Sequence, residues 1–151
     1  MNVTAYSIAQ RFVGTKEVPG KEDNPQVLAM LRLDGVWPEH DEVPWCSAFT
    51  NYIAWLLRLP RSKSLAARSW LRVGIPVLWT QARVGFDVVV LSRGVQPLGQ
   101  DIFTGPGHVG FFAGTDGNQV LLLGGNQSGE VSLVSYQTDR ILGVRRLLEE
   151  R

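Results

Sequence analysis

The spacing of apolar and polar positions changes midway along this chain. Up to about residue 74 apolar residues recur at helical intervals, and beyond about residue 87 they alternate or gather in short β-branched runs. Thr4 stands as an N-cap before Ala5, Ile8, Ala9 and Phe12, which share one face at a 3.6-residue period. Asn24-Pro25 reads as an N-cap with proline at the first helical position, and Val27, Leu28, Met30 and Leu31 give that helix its buried face. Apolar residues dominate from Trp45 to Leu57, which predicts a central, well-buried helix. Ser64 reads as the cap of a shorter helix, Leu65 to Arg72, ended by Gly74. The stretches Gly14 to Asp23 and Asp34 to Pro44 read as loops, the second acidic and proline-bearing.

The second half predicts strands. Asp87-Val88-Val89-Val90-Leu91 has the β-branched, apolar character of a buried strand. His108 to Ala113 and Gln119 to Leu123 are joined by Gly-Thr-Asp-Gly-Asn, a hairpin signal. Val131 to Tyr136 and Ile141 to Leu147 are further strands. Ser92 to Gly107 is a long Gly/Pro-rich loop of the kind that flanks sites. Helices followed by an antiparallel meander make an α+β fold, expected to form one domain over residues 1–151. No repeat, low-complexity tract or linker interrupts it.

Composition narrows the function. Lys+Arg 15 against Asp+Glu 14 leaves no basic stripe, so no nucleic-acid partner is expected. No run approaches the ~18 apolar residues of a membrane span, so no stable membrane insertion is expected. The first residues lack the basic and apolar regions of a signal peptide. A single cysteine excludes an intramolecular disulfide and a cysteine-based zinc cluster.

That cysteine, Cys46, lies in Trp45-Cys46-Ser47-Ala48-Phe49 directly after Pro44, and so in the first turn of the predicted central helix. A lone cysteine is at home as a small buried hydrophobe. In a first helical turn, however, unpaired N–H groups and the positive dipole end favour thiolate and can hold an oxyanion. The chain has two histidines. His40 is near Cys46 in the chain, but that does not aim its ring at the thiol. His108 opens an apolar strand between glycines and is the favoured base and acid. Asn126, in Gly124-Gly125-Asn126-Gln127, reads either as a turn residue or as the amide acceptor that orients the His108 ring. Trp45, Glu17 and Trp70, with Trp37, Asn24, Asp41 and Glu42, are candidates to line a cleft. Core packing is the competing role for the aromatic residues, and a solvated loop for the acidic ones. Ser47 is expected to cap or pack.

Trp-Cys-Ser-Ala-Phe, Ala-Arg-Ser-Trp-Leu, Asp-Val-Val-Val-Leu, Gly-His-Val-Gly-Phe-Phe and Leu-Gly-Gly-Asn-Gln occur in that order. Together, over about Ala5 to Arg146, they resemble the CHAP and NlpC-type superfamily of papain-like peptidoglycan hydrolases, with the closest likeness to a phage and prophage branch. The resemblance implies a papain-like α+β fold, its N-terminal helices packed on a C-terminal antiparallel sheet. It also implies cleavage of an amide bond in the peptide part of peptidoglycan, with Cys46 as nucleophile, His108 as base and acid, and Asn126 as orienting residue. With no signal peptide read, the expectation is synthesis in the bacterial cytoplasm and action on the periplasmic wall with a holin's help, or carriage in a phage particle, with a secreted antibacterial effector left open. A non-catalytic wall-binding module and a cysteine protease or transferase acting on protein are the alternatives. Two positions depart from the pattern. Many CHAP domains have Glu where this chain has Gly124, and some relatives have Gly-Asp where it has Phe86-Asp87. The acidic calcium loop of some CHAP enzymes has no evident counterpart, so no metal or other cofactor is expected.

Overall fold

A computed structural model describes residues 3–17, 24–34, 45–93 and 107–148. The helical half begins with α1, Ala5–Gln10, where Thr4 and Ser7 form a reciprocal capping box. It continues with α2, Pro25–Leu31, where the Asn24 side chain accepts from the Gln26 N–H. The third helix, α3, is Cys46–Leu56 and nearly all of its inward face is buried. The next segment departs from the expected α-helix. Ala67–Arg72 is a 3₁₀ turn preceded by Ala66, and no side chain caps it. Ser64 instead gives its carbonyl to Ser47 and Asn51 of α3, which draws the chain into the helix surface before a regular turn can start.

The strands are β1 (Ile75–Val77), β2 (Asp87–Ser92), β3 (Gly107–Asp116), β4 (Gln119–Gln127), β5 (Glu130–Gln137) and β6 (Ile141–Arg146). They form one six-stranded sheet in the order β1-β6-β2-β3-β4-β5, every pair antiparallel. Strands β2 to β5 are the expected meander, and β6 returns to the free side of β2. Only β1 has no forerunner in the sequence pattern. It is three residues long with Pro76 at its centre, a composition confined to sheet edges because proline donates no ladder hydrogen bond.

One sheet face packs against the helices through Phe49, Ile53, Trp45, Val88, Val90, Val109, Phe111 and Leu123. Phe49 meets Phe111 edge to face with centroids 6.3 Å apart, so α3 is held across β3 and β4. Val89, Leu91, Phe112, Val120, Leu122 and Val144 form a second cluster on the other face. Asp87, buried at the start of β2, receives a bidentate ion pair from Arg146 at 2.8 and 2.9 Å and the Arg83 N–H at 2.8 Å. Asp87 therefore locks β2 to β6. No helix among the described residues is long and apolar enough to cross a membrane.

Candidate active site

Cys46 is the first residue of α3, and Trp45, the N-cap, provides no side-chain cap. The first N–H groups of the helix are thereby left to the thiol. Those of Cys46 and Ser47 favour its ionised form, and so does the N–H of Val109, the residue after His108 on β3. Exposed Arg93 adds a favourable field. Burial opposes all four and prevails, so the Cys46 pKa is raised. This departs from the sequence expectation of a thiolate at a helix start. The dipole and the N–H groups are present as expected, but desolvation outweighs them, and the resting thiol is neutral.

The start of α3 is fixed from several sides. Ser47 Oγ donates to the Ser64 carbonyl at 2.6 Å and accepts from Trp70 Nε1 at 2.9 Å. Asn51 Nδ2 donates to the Ser47 carbonyl at 3.1 Å and to the Ser64 carbonyl at 3.2 Å, while its oxygen accepts from the Lys63 N–H. Trp45 Nε1 donates to Glu17 Oε2 at 3.1 Å. Glu17 reaches that position because residues 14–17 run beside the start of β5, with the Gly14 and Glu17 N–H groups donating to the Val131 and Gly129 carbonyls. Trp45 and Trp70 are fully buried. These findings correct the expectation that Trp45, Glu17 and Trp70 line a substrate cleft: the two indoles are core, and Glu17 anchors one of them. Ser47 packs, as expected. Trp37, His40, Asp41 and Glu42 lie outside the described residues.

His108 is 1% exposed and its Nε2 lies 2.9 Å from Gln127 Oε1. The orientation of that amide follows from its other end. Gln127 Nε2 donates to the Ser132 carbonyl at 2.6 Å, so Oε1 must face the ring. The same oxygen accepts from Tyr136 Oη at 3.0 Å, and burial raises the Tyr136 pKa, which keeps the phenol a donor. An acceptor opposite Nε2 means that Nε2 carries the hydrogen and Nδ1 keeps its lone pair. Nδ1 is buried and makes no hydrogen bond among the described residues.

Asn126 does not hold the ring. No hydrogen bond joins its side chain to His108 among the described residues, and the expected orienting role passes to its neighbour Gln127. The cause is a bulge in β4. Val120 and Leu122 lie on the second-cluster face, and regular alternation would bring residues 124 and 126 to that face next. Pairing with β5 shifts between Gly124 and Gln127, and Asn126 takes a left-handed φ of 57°. One extra residue reverses the parity and turns Gln127 toward His108. Gly124 leaves the space the amide fills: a Cβ there would lie 2.9 Å from Gln127 Oε1 and 3.4 Å from His108 Nε2. The amide that fills this space arrives from three residues later in the chain.

Gln127→Ala is accordingly expected to lower kcat on the substrate class proposed below by roughly 10- to 100-fold with little change in KM, since it removes the acceptor that fixes the imidazole. Asn126→Gly, which retains the left-handed backbone, should change kcat by less than about threefold. Steady-state kinetics on the two variants checks the assignment, and a larger loss from Asn126→Gly would return the orienting role to Asn126.

Burial lowers the His108 pKa to about 4, Gln127 opposes the shift, and Arg93 and Arg140 add to it. The ring is therefore neutral in the folded protein at neutral pH, while the unfolded chain takes up a proton near pH 6.5. Between those values the unfolded state binds more protons, so stability falls as pH drops from about 6.5 to about 4 and levels off below. The loss from this group is about 3 kcal/mol in full. Thermal unfolding across this range should show a falling midpoint for the wild type and a flatter profile for His108→Gln. Parallel profiles would mean that another group carries the effect.

No three His, Cys, Asp or Glu side chains among the described residues converge as a metal site would require. A cavity of about 720 Å³ lies between β1 and β6 beside Trp79 and contains neither Cys46 nor His108.

No protein-family model matches this sequence, and no curated protein matches it. Solved structures do match by shape. NlpC1 from Trichomonas vaginalis superposes with a TM-score of 0.55 at 15% identity, over 97% of this chain and 44% of that one. The P60 domain of an antigen from M. avium subspecies paratuberculosis superposes with the same TM-score and identity, over 97% of this chain and 96% of that one. The chain thus spans less than half of the Trichomonas protein and nearly all of the P60 domain. The fold is the papain-like α+β fold of NlpC/P60 domains, as the sequence motifs imply.

Proposed function

We propose that this protein is a cysteine-dependent hydrolase that cleaves an amide bond in the peptide part of peptidoglycan. The observation that carries this reading is a thiol at the start of a buried helix that meets the N–H of Val109, the residue next to a strand histidine whose Nε2 is occupied and whose Nδ1 is unbonded among the described residues. The fold shared with NlpC/P60 domains and the ordered motifs of the sequence support the cell-wall substrate.

The neutral resting states of both groups favour proton transfer during attack over a preformed ion pair. His108 Nδ1 accepts the Cys46 proton as sulfur bonds to the substrate carbonyl carbon. The Cys46 N–H stabilises the oxyanion. The tetrahedral adduct collapses to a thioester, and the amine leaves with the proton held by His108. Water, deprotonated by the same nitrogen, then hydrolyses the thioester and returns the thiol. Gln127 holds Nε2–H throughout and favours the transient imidazolium. N-acetylmuramoyl-L-alanine amidase and stem-peptide endopeptidase activity both use these steps. The phage-like motifs favour a role in lysis aided by a holin, or in a phage particle. Incubation with purified sacculi and, separately, with an unfolded protein should release new amines from the sacculi alone. Release from the protein alone would shift the assignment to a protease.

Full burial of Cys46 and its raised pKa also fit a second reading, a wall-binding module with an inert thiol. That reading predicts retention on sacculi with no amine released.

A further inference from the structure

Among the described residues, two arginines, Arg93 and Arg140, stand at the edge of this site. Arg93 directly follows β2, whose Leu91 pairs with His108 and whose Ser92 pairs with Gly107. Arg140 reaches the same edge from the segment before β6. Its Nε and Nη2 donate to the Ser92 carbonyl at 3.1 and 2.9 Å, fixing the backbone at the root of Arg93. Its guanidinium carbon stands 5.1 Å from the centre of the Tyr136 ring, which is itself 5.3 Å from the His108 ring. Neither arginine forms an ion pair among the described residues, whereas Arg61 and Arg146 are both paired with carboxylates. Arg93 is exposed and its charge reaches Cys46, His108 and Tyr136.

This arrangement suits the thiol but opposes the imidazolium that amide cleavage must form, because like charges close to a buried cation destabilise it. An anion brought by the substrate would cancel that opposition at the step where it matters, and would find a ready guanidinium partner. We propose that the site selects peptide substrates with a free carboxylate beside the scissile amide, and that Arg93, its backbone root held by Arg140, receives that carboxylate. The inference rests on the hydrolase reading above and adds the substrate's charge to it. The carboxylate then acts in binding and in catalysis, by orienting the amide and by making His108 a better base.

The test compares a synthetic stem peptide in its free-acid form with the same peptide in which the carboxylate next to the cleaved bond is a carboxamide. Wild type is expected to prefer the acid by roughly 10- to 100-fold in kcat/KM, the worth of one charge-assisted hydrogen bond. Arg93→Gln should lower the rate on the acid and narrow the preference to within about threefold, and Arg93→Lys should restore part of it. Equal cleavage of both peptides by wild type, or an undiminished preference in Arg93→Gln, overturns the carboxylate assignment, as does cleavage of sacculi with neither peptide cut. Failure to cut sacculi or either peptide overturns the hydrolase reading itself.

Discussion

Cys46→Ala is expected to abolish turnover, by on the order of 10⁴-fold or more, while the protein stays folded. The adjacent hydroxyl cannot substitute for the thiol: Ser47 is fully buried and committed to the Ser64 carbonyl and the Trp70 indole. The fold should tolerate the change because alanine is a strong helix former and only one sulfur atom leaves a core that Trp45, Phe49 and Trp70 dominate. A stability loss of about 1 kcal/mol is expected. Comparing kcat/KM and thermal midpoints of the two proteins separates loss of chemistry from loss of fold. Full activity in the variant would remove the thiol from the mechanism.

The second large effect is that of His108→Ala, for which a loss of about 10²- to 10⁴-fold in kcat is expected. Its neutral Nδ1 is the buried base of the proposed cycle, and Gln127 and Tyr136 are arranged around its other nitrogen. His40→Ala should remain within about threefold of wild type. Kinetics on both variants, with circular dichroism as the control for folding, decides between the two histidines, and the opposite order of effects would reassign the base. Removing His108 also takes one of the two donors from Gln127 Oε1, which keeps the Tyr136 hydroxyl, and empties a buried ring site, so some destabilisation should accompany the lost activity.

Much of this was legible in the chain, for identifiable physical reasons. The capping box at Thr4, the Asn24-Pro25 start and the apolar length of α3 are local signals, and local hydrogen bonding realises them. The meander was legible because its strands are β-branched and separated by turn residues. What escaped depends on distant contacts. Edge strand β1 exists only because β6 offers it a partner, and its own residues carry no strand signal. The turn at Ala67–Arg72 is shaped by what Ser64 bonds to on α3. Trp45 and Trp70 were legible as important aromatics, but their burial against Glu17 and Ser47 is set by tertiary packing.

The candidate site divides in the same way. Cys46 at a helix start and His108 on a strand follow from sequence, because each position is set by its own element. The third group does not, because one bulge decides whether residue 126 or 127 faces the imidazole. A signal was present: two glycines before an asparagine, the non-glycine residue that best tolerates left-handed backbone, mark a bulge that reverses the next side chain. The protonation state was also beyond reach. A helix start predicts a lowered thiol pKa, and only the packed structure reveals how far desolvation outweighs the helix.

Mass spectrometry of fragments released from purified Gram-negative sacculi, wild type beside Cys46→Ala, tests the central claim most directly. The account predicts peptide-bearing fragments from the wild type alone, with masses that identify the amide cut. Identical fragments from both proteins, or none from a wild type shown to be folded, would contradict it.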